Sequence, residues 1–316
     1  MKGRSHAVTS LLAALALLLA APAAGVLIAS GDGTGNTRSP RPDLPWQHVG
    51  RRGEFSAIYL GHRWALTAAH VGAWGVEFAG RDYAPIDRSV TTVVNRDGSP
   101  SDLIAFRIDA RTAGTSAAPP LPLLPIARTR PAPGRALILV GNGYDRGEAI
   151  GWIGATGDTH RGWRPASSRR LRWGTNRLDA APDEITFRGI TTRVLAMTFT
   201  PPRAPDATPY EAQAVKGDSG GAVFVREQGR FVLAGIIIVR SEHAGQPEGA
   251  ALFGNRTYAV DLSAYRDQLV ALTRPDCADE RDNDDDGAVD FPDDPSCIRP
   301  GSNSEQGRAR GPGPLP

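Results

Sequence analysis

Val215-Lys216-Gly217-Asp218-Ser219-Gly220-Gly221-Ala222-Val223-Phe224 sets one serine among three glycines and an aspartate, just ahead of an apolar run. Glycine tolerates positive φ and close backbone approach, so glycines crowded around a hydroxyl mark a tight turn whose N–H groups converge. The residues from Ala222 read as the strand that follows the turn. A hydroxyl in such a turn is a candidate nucleophile, but only with a base to take its proton and a third group to orient that base.

Two upstream stretches offer those groups. Trp64-Ala65-Leu66-Thr67-Ala68-Ala69-His70 is an apolar strand ending in small residues and a histidine. Ser101-Asp102-Leu103-Ile104-Ala105-Phe106-Arg107-Ile108 opens a strongly apolar strand with an aspartate suited to a buried acid, with Asp87 and Asp97 as the alternatives. Around them lie many short β-rich runs separated by Gly and Pro, of which the chain has 36 and 26. That pattern indicates barrels or sandwiches. The stretch 154–184 reads as an arginine-rich loop, and Pro-rich residues 117–125 as a connector between two groups of strands. Asp261–Leu272 is the single helical pattern, with Leu262, Tyr265, Leu269 and Leu272 on one face and Asp261 as its cap. G-x-S-x-G at Gly217, Ser219 and Gly221 also fits the elbow of α/β hydrolases, but there the acid and then the histidine follow the serine. Here His243 is the only histidine after Ser219 and it precedes Asp261, so that fold is set aside.

Leu66–His70 (LTAAH), Asp102–Ile108 (DLIAFRI) and Gly217–Gly221 (GDSGG), in this order, make the chain resemble the chymotrypsin/trypsin-like serine proteases, as a secreted member of bacterial type. The resemblance implies an all-β fold of two antiparallel six-stranded barrels over residues 25–274, joined near 115–130, with a closing C-terminal helix. It implies a triad of His70, Asp102 and Ser219, and an oxyanion hole from the backbone of Gly217 and Ser219. The substrate would be a protein or peptide, no cofactor would be needed for catalysis, and the protein would act as a monomer. By the same resemblance Asp218 would pair with a freed apolar N-terminus, whose nearest equivalent is Ile28-Ala29-Ser30-Gly31, starting 42 residues ahead of His70. Gln213, Ile238 and Arg240 would form the specificity pocket. Gln213 stands where a carboxylate would favour basic substrates, and Arg240 where a glycine is usual, so Arg240 would narrow the pocket or select an acidic residue. A member without activity, serving as a binding protein, is the second reading.

Residues 1–24 combine a basic start, the apolar run Leu11–Ala20 and an Ala-Pro-Ala-Ala exit, the pattern of a secretory signal peptide. The apolar run is shorter than the roughly 20 residues a span requires. The expected location is therefore outside the cytoplasm, extracellular or periplasmic, with no membrane attachment once the signal is removed. The formal charge is +2, yet residues from Pro275 onward hold 11 acidic and 4 basic side chains. The body's cations are mostly scattered arginines, which argues against a nucleic-acid partner. Both cysteines, Cys277 and Cys297, fall in the acidic segment 275–298, where one local disulfide is expected. Within it Asp282, Asp284, Asp286 and Asp290 alternate around Gly287 in a D-x-D-x-D-G pattern suited to Ca²⁺. Residues 299–316 are polar and rich in Gly, Pro and Arg, the composition of a disordered end.

Overall fold

The computed structural model describes residues 25–109, 119–280, 282, 286–299 and 301–302. The signal-peptide expectation for 1–24 and most of the C-terminal end fall outside them. A two-residue strand, β1 (Leu27–Ile28), leads into the first lobe. That lobe contains β2 (Val49–Arg52), β3 (Phe55–Gly61), β4 (Trp64–Thr67), β5 (Val76–Phe78), β6 (Arg81–Pro85), β7 (Thr91–Val94) and β8 (Pro100–Asp109). Antiparallel pairing runs β4-β3-β2-β5-β6-β8 and returns to β4 through Trp64↔Arg107 to Thr67↔Ile104, closing a six-stranded barrel with β7 on its flank.

The second lobe holds β9 (Ala136–Gly141), β10 (Tyr144–Ile153), β11 (Thr159–Arg169), β12 (Arg172–Arg177), β13 (Glu184–Phe187), β14 (Ile190–Thr198), β15 (Ala212–Gln213), β16 (Ala222–Glu227), β17 (Arg230–Arg240), β18 (Ala251–Leu252) and β19 (Arg256–Asp261). Its main sheet runs β12-β9-β16-β17-β19-β14-β13. Six of these strands curl into the second barrel. The seam between β12 and β14 is bridged by a side chain, with Asn176 Nδ2 donating to Thr198 O at 3.0 Å and to Ala212 O at 2.9 Å.

Strands β3, β4, β8 and β17 read as nearly unbroken apolar runs because both faces are covered. Ala57, Tyr59 and Ala65 line the first barrel's interior with Phe78 and Phe106, while the alternating Ile58, Leu60 and Leu66 face the other lobe. There they join Val140, Ala222, Phe224, Ile236 and Val260 in one core that continues across the lobe boundary.

The arginine-rich interval, expected as loop, is β11 and β12. Its Arg169 lies 3.9 Å over the Tyr144 ring and its buried Arg172 pairs with Asp145 at 2.9 Å, while Arg146 of β10 sits 4.8 Å over Trp163 of β11. Stacked guanidinium groups satisfy a strand face that a hydropathy pattern scores as polar.

At the C-terminus Asp261 accepts from Ser263 N at 3.1 Å, a 3₁₀ turn over Leu262–Tyr265 follows, and α1 (Arg266–Leu272) continues it. Among the described residues no helix is long and apolar enough to cross a membrane. Cys277 and Cys297 form the disulfide expected from their spacing. The loop it closes is fastened to the first lobe by Asp276, 3% exposed, which meets Arg107 and lies 3.7 Å from Arg63. Asp276→Ala takes this carboxylate from two largely buried guanidinium groups. It should cost about 3 kcal/mol in denaturant unfolding and open the disulfide loop to limited proteolysis.

Candidate active site

His70 follows β4, Asp102 lies in β8 and Ser219 precedes β16, so the closed first barrel supplies two groups and the second lobe the third. Antiparallel pairing of β4 with β8 brings the strand ends carrying His70 and Asp102 together. Asp102 Oδ1 accepts from His70 N at 2.9 Å, and Oδ2 lies 2.7 Å from His70 Nδ1. The imidazole therefore carries its proton on Nδ1 and offers Nε2 to Ser219 Oγ at 3.1 Å. Asp102, not Asp87 or Asp97, is the acid the geometry selects. It is 2% exposed, and its backbone N donates to Thr192 Oγ1 of β14 at 2.9 Å, a tie from the opposite lobe that gives no sequence signal.

Backbone packing dictates the glycines. Gly217 has φ +99°, and a Cβ there would fall 2.6 Å from Glu54 O. Gly220 has φ +82°, and its Cβ would fall 1.9 Å from Ser56 O. A Cβ on Gly221 would meet Val140 O at 2.6 Å. Ser56 N donates to Ser219 O at 3.0 Å, and Gly220 N to Ile237 O at 2.8 Å, so the turn is clamped between β3 and β17. Among the described residues the N–H groups of Gly217 and Ser219 have no protein acceptor, which leaves both for an oxyanion.

No family model and no curated protein matches this chain. Among solved structures it is similar to neuropsin, described as a serine protease expressed in the limbic system of mouse brain. The identity is 19% and the TM-score 0.46, over 75% of this chain and 97% of that one. At that distance the likeness adds no argument to the strand order and the side-chain geometry.

A residue the sequence reading missed closes over the base. β13 and β14 form a hairpin whose turn residues Arg188 and Gly189 both have positive φ, +50° and +80°, as a two-residue turn requires. Its tip sets the Phe187 ring edge-on to His70, with centroids 5.8 Å apart. Arg188-Gly189 between two β-rich runs was the available signal.

Asp218 is fully buried, with Oδ1 accepting from Gly143 N and Oδ2 from Val215 N, each at 2.7 Å. Burial pushes its carboxyl up to about 7, against the lowering by those two N–H groups and by Arg172 and Arg240. The folded chain therefore holds a proton that the unfolded chain releases near pH 4. Stability from this group falls as pH rises from about 4 to about 7, by on the order of 4 kcal/mol if no further cation approaches. Thermal melts of the intact chain across that range should show the decline, and Asp218→Ala should flatten it.

Ile28, the nearest sequence match to a freed N-terminus, is the second residue of β1. It pairs with Ala212, Leu27 before it pairs with Gln213, and Arg146 Nη1 holds the Ile28 carbonyl at 3.2 Å. Val26 is buried in the second lobe's core, and a Cβ on Gly25 would fall 2.0 Å from Gly141 O. Gly141 in turn abuts Asp218, where a Cβ would lie 2.2 Å from Oδ1. The chain thus passes close to the Asp218 neighbour Gly141 at Gly25, three residues ahead of Ile28.

Of the expected pocket residues, Ile238 presents its carbonyl to Ser219 Oγ at 3.2 Å. Gln213 is fully buried, and Arg240 turns inward with its side chain 13% exposed. In the acidic segment Asp284 lies outside the described residues. Asp282 accepts from Asp286 N and Gly287 N, while Asp290 caps Asp279 N and Glu280 N at the loop's start. Among the described residues no group of three acidic, histidine or cysteine side chains converges on one point. Ser302 O accepts from Cys277 N, so the segment expected to be disordered from 299 is held at least that far.

Proposed function

We propose that the chain is a secreted serine endopeptidase working through an acyl-enzyme. The observation that carries this reading is the run of contacts Asp102–His70–Ser219, at 2.7 and 3.1 Å, beside two unclaimed N–H donors. Ser219 Oγ attacks the substrate's acyl carbon while its proton passes to His70 Nε2. Asp102 stabilises the imidazolium and keeps its Nδ1–H in place. The oxyanion is met by Gly217 N–H and Ser219 N–H. Collapse breaks the C–N bond as His70 returns the proton to the departing amine. A water, deprotonated by the same imidazole, then releases the acid and regenerates the serine. Each step uses groups of this chain and water.

Export is supported by residues 1–24 and by a disulfide, which persists outside the reducing cytoplasm. The processing point we favour leaves Val26 first, since its ammonium would lie on the Asp218 side of β1. N-terminal sequencing of active material tests this. Ca²⁺ in the acidic loop is a separate proposal, tested by calorimetric titration of the full chain. A fluorophosphonate probe should label Ser219 in the processed protein. Wild type that resists labelling in every processed form, with the triad intact, would favour the binding-protein reading instead.

A further inference from the structure

Where the connector between the lobes meets the C-terminal helix there is a cavity of about 470 Å³. Leu60 and His62 of the first lobe line one part of it, Arg230 of the second lobe another, and Arg266 and Val270 of α1 a third. The connector completes the wall with residues 123–126 and Arg128. That wall is fixed from both sides. Leu124 N donates to Leu60 O at 2.8 Å, Leu233 N to Pro125 O at 2.8 Å, and Ala127 N to Leu233 O at 2.9 Å. The connector is thereby pinned to β3 in one direction and to β17 in the other, so the cavity is formed before anything enters it.

The lining divides into two chemistries. Leu60, Leu124 and Ile126 are buried, whereas Leu123 is 57% exposed and Val270 45%. Two large apolar side chains left in water at one cavity form a patch of the kind that marks an interaction site. The charged part is of one sign: Arg128, Arg230, Arg266 and Arg274, with no carboxylate among the described lining residues. The carboxylates that pair with two of them, Asp267 with Arg266 at 3.8 Å and Glu280 with Arg274 at 2.7 Å, are exposed and lie outside the lining. Arg128 and Arg230 are exposed and make no hydrogen bond or ion pair to a described residue. Arg266 Nε is buried without an acceptor. Like charges gathered around an apolar concavity repel one another, and a bound anion relieves that repulsion. The volume falls among those of small-molecule sites, roughly 300–1,000 Å³.

We propose that this cavity binds a free aliphatic carboxylate of medium chain length, its chain on Leu60, Leu123, Leu124, Ile126 and Val270 and its head among the guanidinium groups. A bare anion such as sulfate would leave Leu123 and Val270 in water. An uncharged chain would leave the cations unanswered, and a cationic amphiphile would be repelled. The ligand would touch both lobes, the connector and α1 at once, so its binding stabilises the native state. The proposal does not depend on the endopeptidase reading, since none of these residues belongs to the triad or to the glycine turn.

Calorimetric titrations and thermal melts of the full chain test it, with hexanoate, octanoate, decanoate, decanol, decyltrimethylammonium and inorganic sulfate as probes, each below its micellar range. Decanoate should bind about tenfold or more tightly than decanol or sulfate and raise the melting temperature, and decyltrimethylammonium should not bind. Each step from hexanoate to octanoate to decanoate should tighten binding about tenfold, as two further buried methylenes require. Arg128→Gln combined with Arg230→Gln, at exposed positions that tolerate change, should weaken decanoate about tenfold or more and leave decanol unaffected. Val270→Asp puts a carboxylate in the wall and should abolish decanoate binding. Ser219→Ala should bind decanoate as wild type does. Sulfate or decanol binding as tightly as decanoate overturns the proposal, and so does decanoate binding that survives both the arginine pair and Val270→Asp. The absence of heat and of any melting shift with decanoate does the same. Capture of the protein by phosphatidylglycerol vesicles without binding of free decanoate would assign the arginines to a membrane surface and overturn it too.

Discussion

Ser219→Ala is expected to lower kcat by about 10⁵–10⁶-fold, and Asp102→Asn by about 10⁴-fold, with folding left intact in both. The first removes the attacking atom from a site already formed. The second works through the tautomer. An amide on Asp102 turns an N–H toward His70 Nδ1, which then becomes the acceptor and shifts the ring proton to Nε2. Ser219 Oγ, 3.1 Å away, loses the lone pair that should take its proton. His70→Ala should cost about as much as Ser219→Ala, and the double variant no more than either, because the residues act as one unit. Single-turnover kinetics with an ester substrate, alongside circular dichroism, measures all of these. Additive losses in the double variant would mean that the contacts are incidental.

Gly220→Ala should be the most damaging single methyl in the molecule, costing roughly 3–5 kcal/mol and depressing activity in whatever folds. Two penalties coincide. The residue sits at φ +82°, and the added carbon would lie 1.9 Å from Ser56 O and 2.4 Å from Thr67 Oγ1. Those atoms cannot yield freely, because Thr67 Oγ1 donates to Ser56 O at 2.8 Å inside the first barrel. Gly80→Ala serves as the control: its φ is +79°, but nothing lies within 4 Å of the new carbon, so only backbone strain remains, about 1 kcal/mol. Comparable losses at both sites in urea melts would show that conformation alone, without the close approach, sets the requirement.

Much of this was legible before any coordinates. The glycine turn, the histidine after β4 and the aspartate opening β8 are local signals, and each implied what its backbone had to do. The closing helix was legible for the same reason, since four apolar residues at helical spacing behind an aspartate need no tertiary knowledge. The misses share a different cause. β11 and β12 looked like a loop because arginine counts as polar, although its guanidinium can cover a tyrosine or tryptophan. Phe187 and Thr192 bear on the triad from a hairpin some 90 residues beyond Asp102 and more than 110 beyond His70. Such a placement belongs to the packing of two lobes, and no window along the chain contains it. The motif Ile28-Ala29 fixes composition, whereas the pairing of Leu27 with Gln213 and Ile28 with Ala212 fixes register, which no local motif carries.

After β19 the polypeptide leaves the second lobe and grips the first: Tyr265 Oη donates to Asn95 Oδ1, Gln268 Oε1 accepts from Val94 N, and Asp276 reaches Arg63 and Arg107. Residues 262–276 therefore work as a strap from the second lobe to the first. Hinged breathing of the halves would have to break that strap, so on the endopeptidase reading peptides would enter and leave through a mouth of constant width. Traffic through such an aperture is governed by loops at its rim, and exchange rates should respond to changes there while ignoring solvent viscosity effects on domain motion.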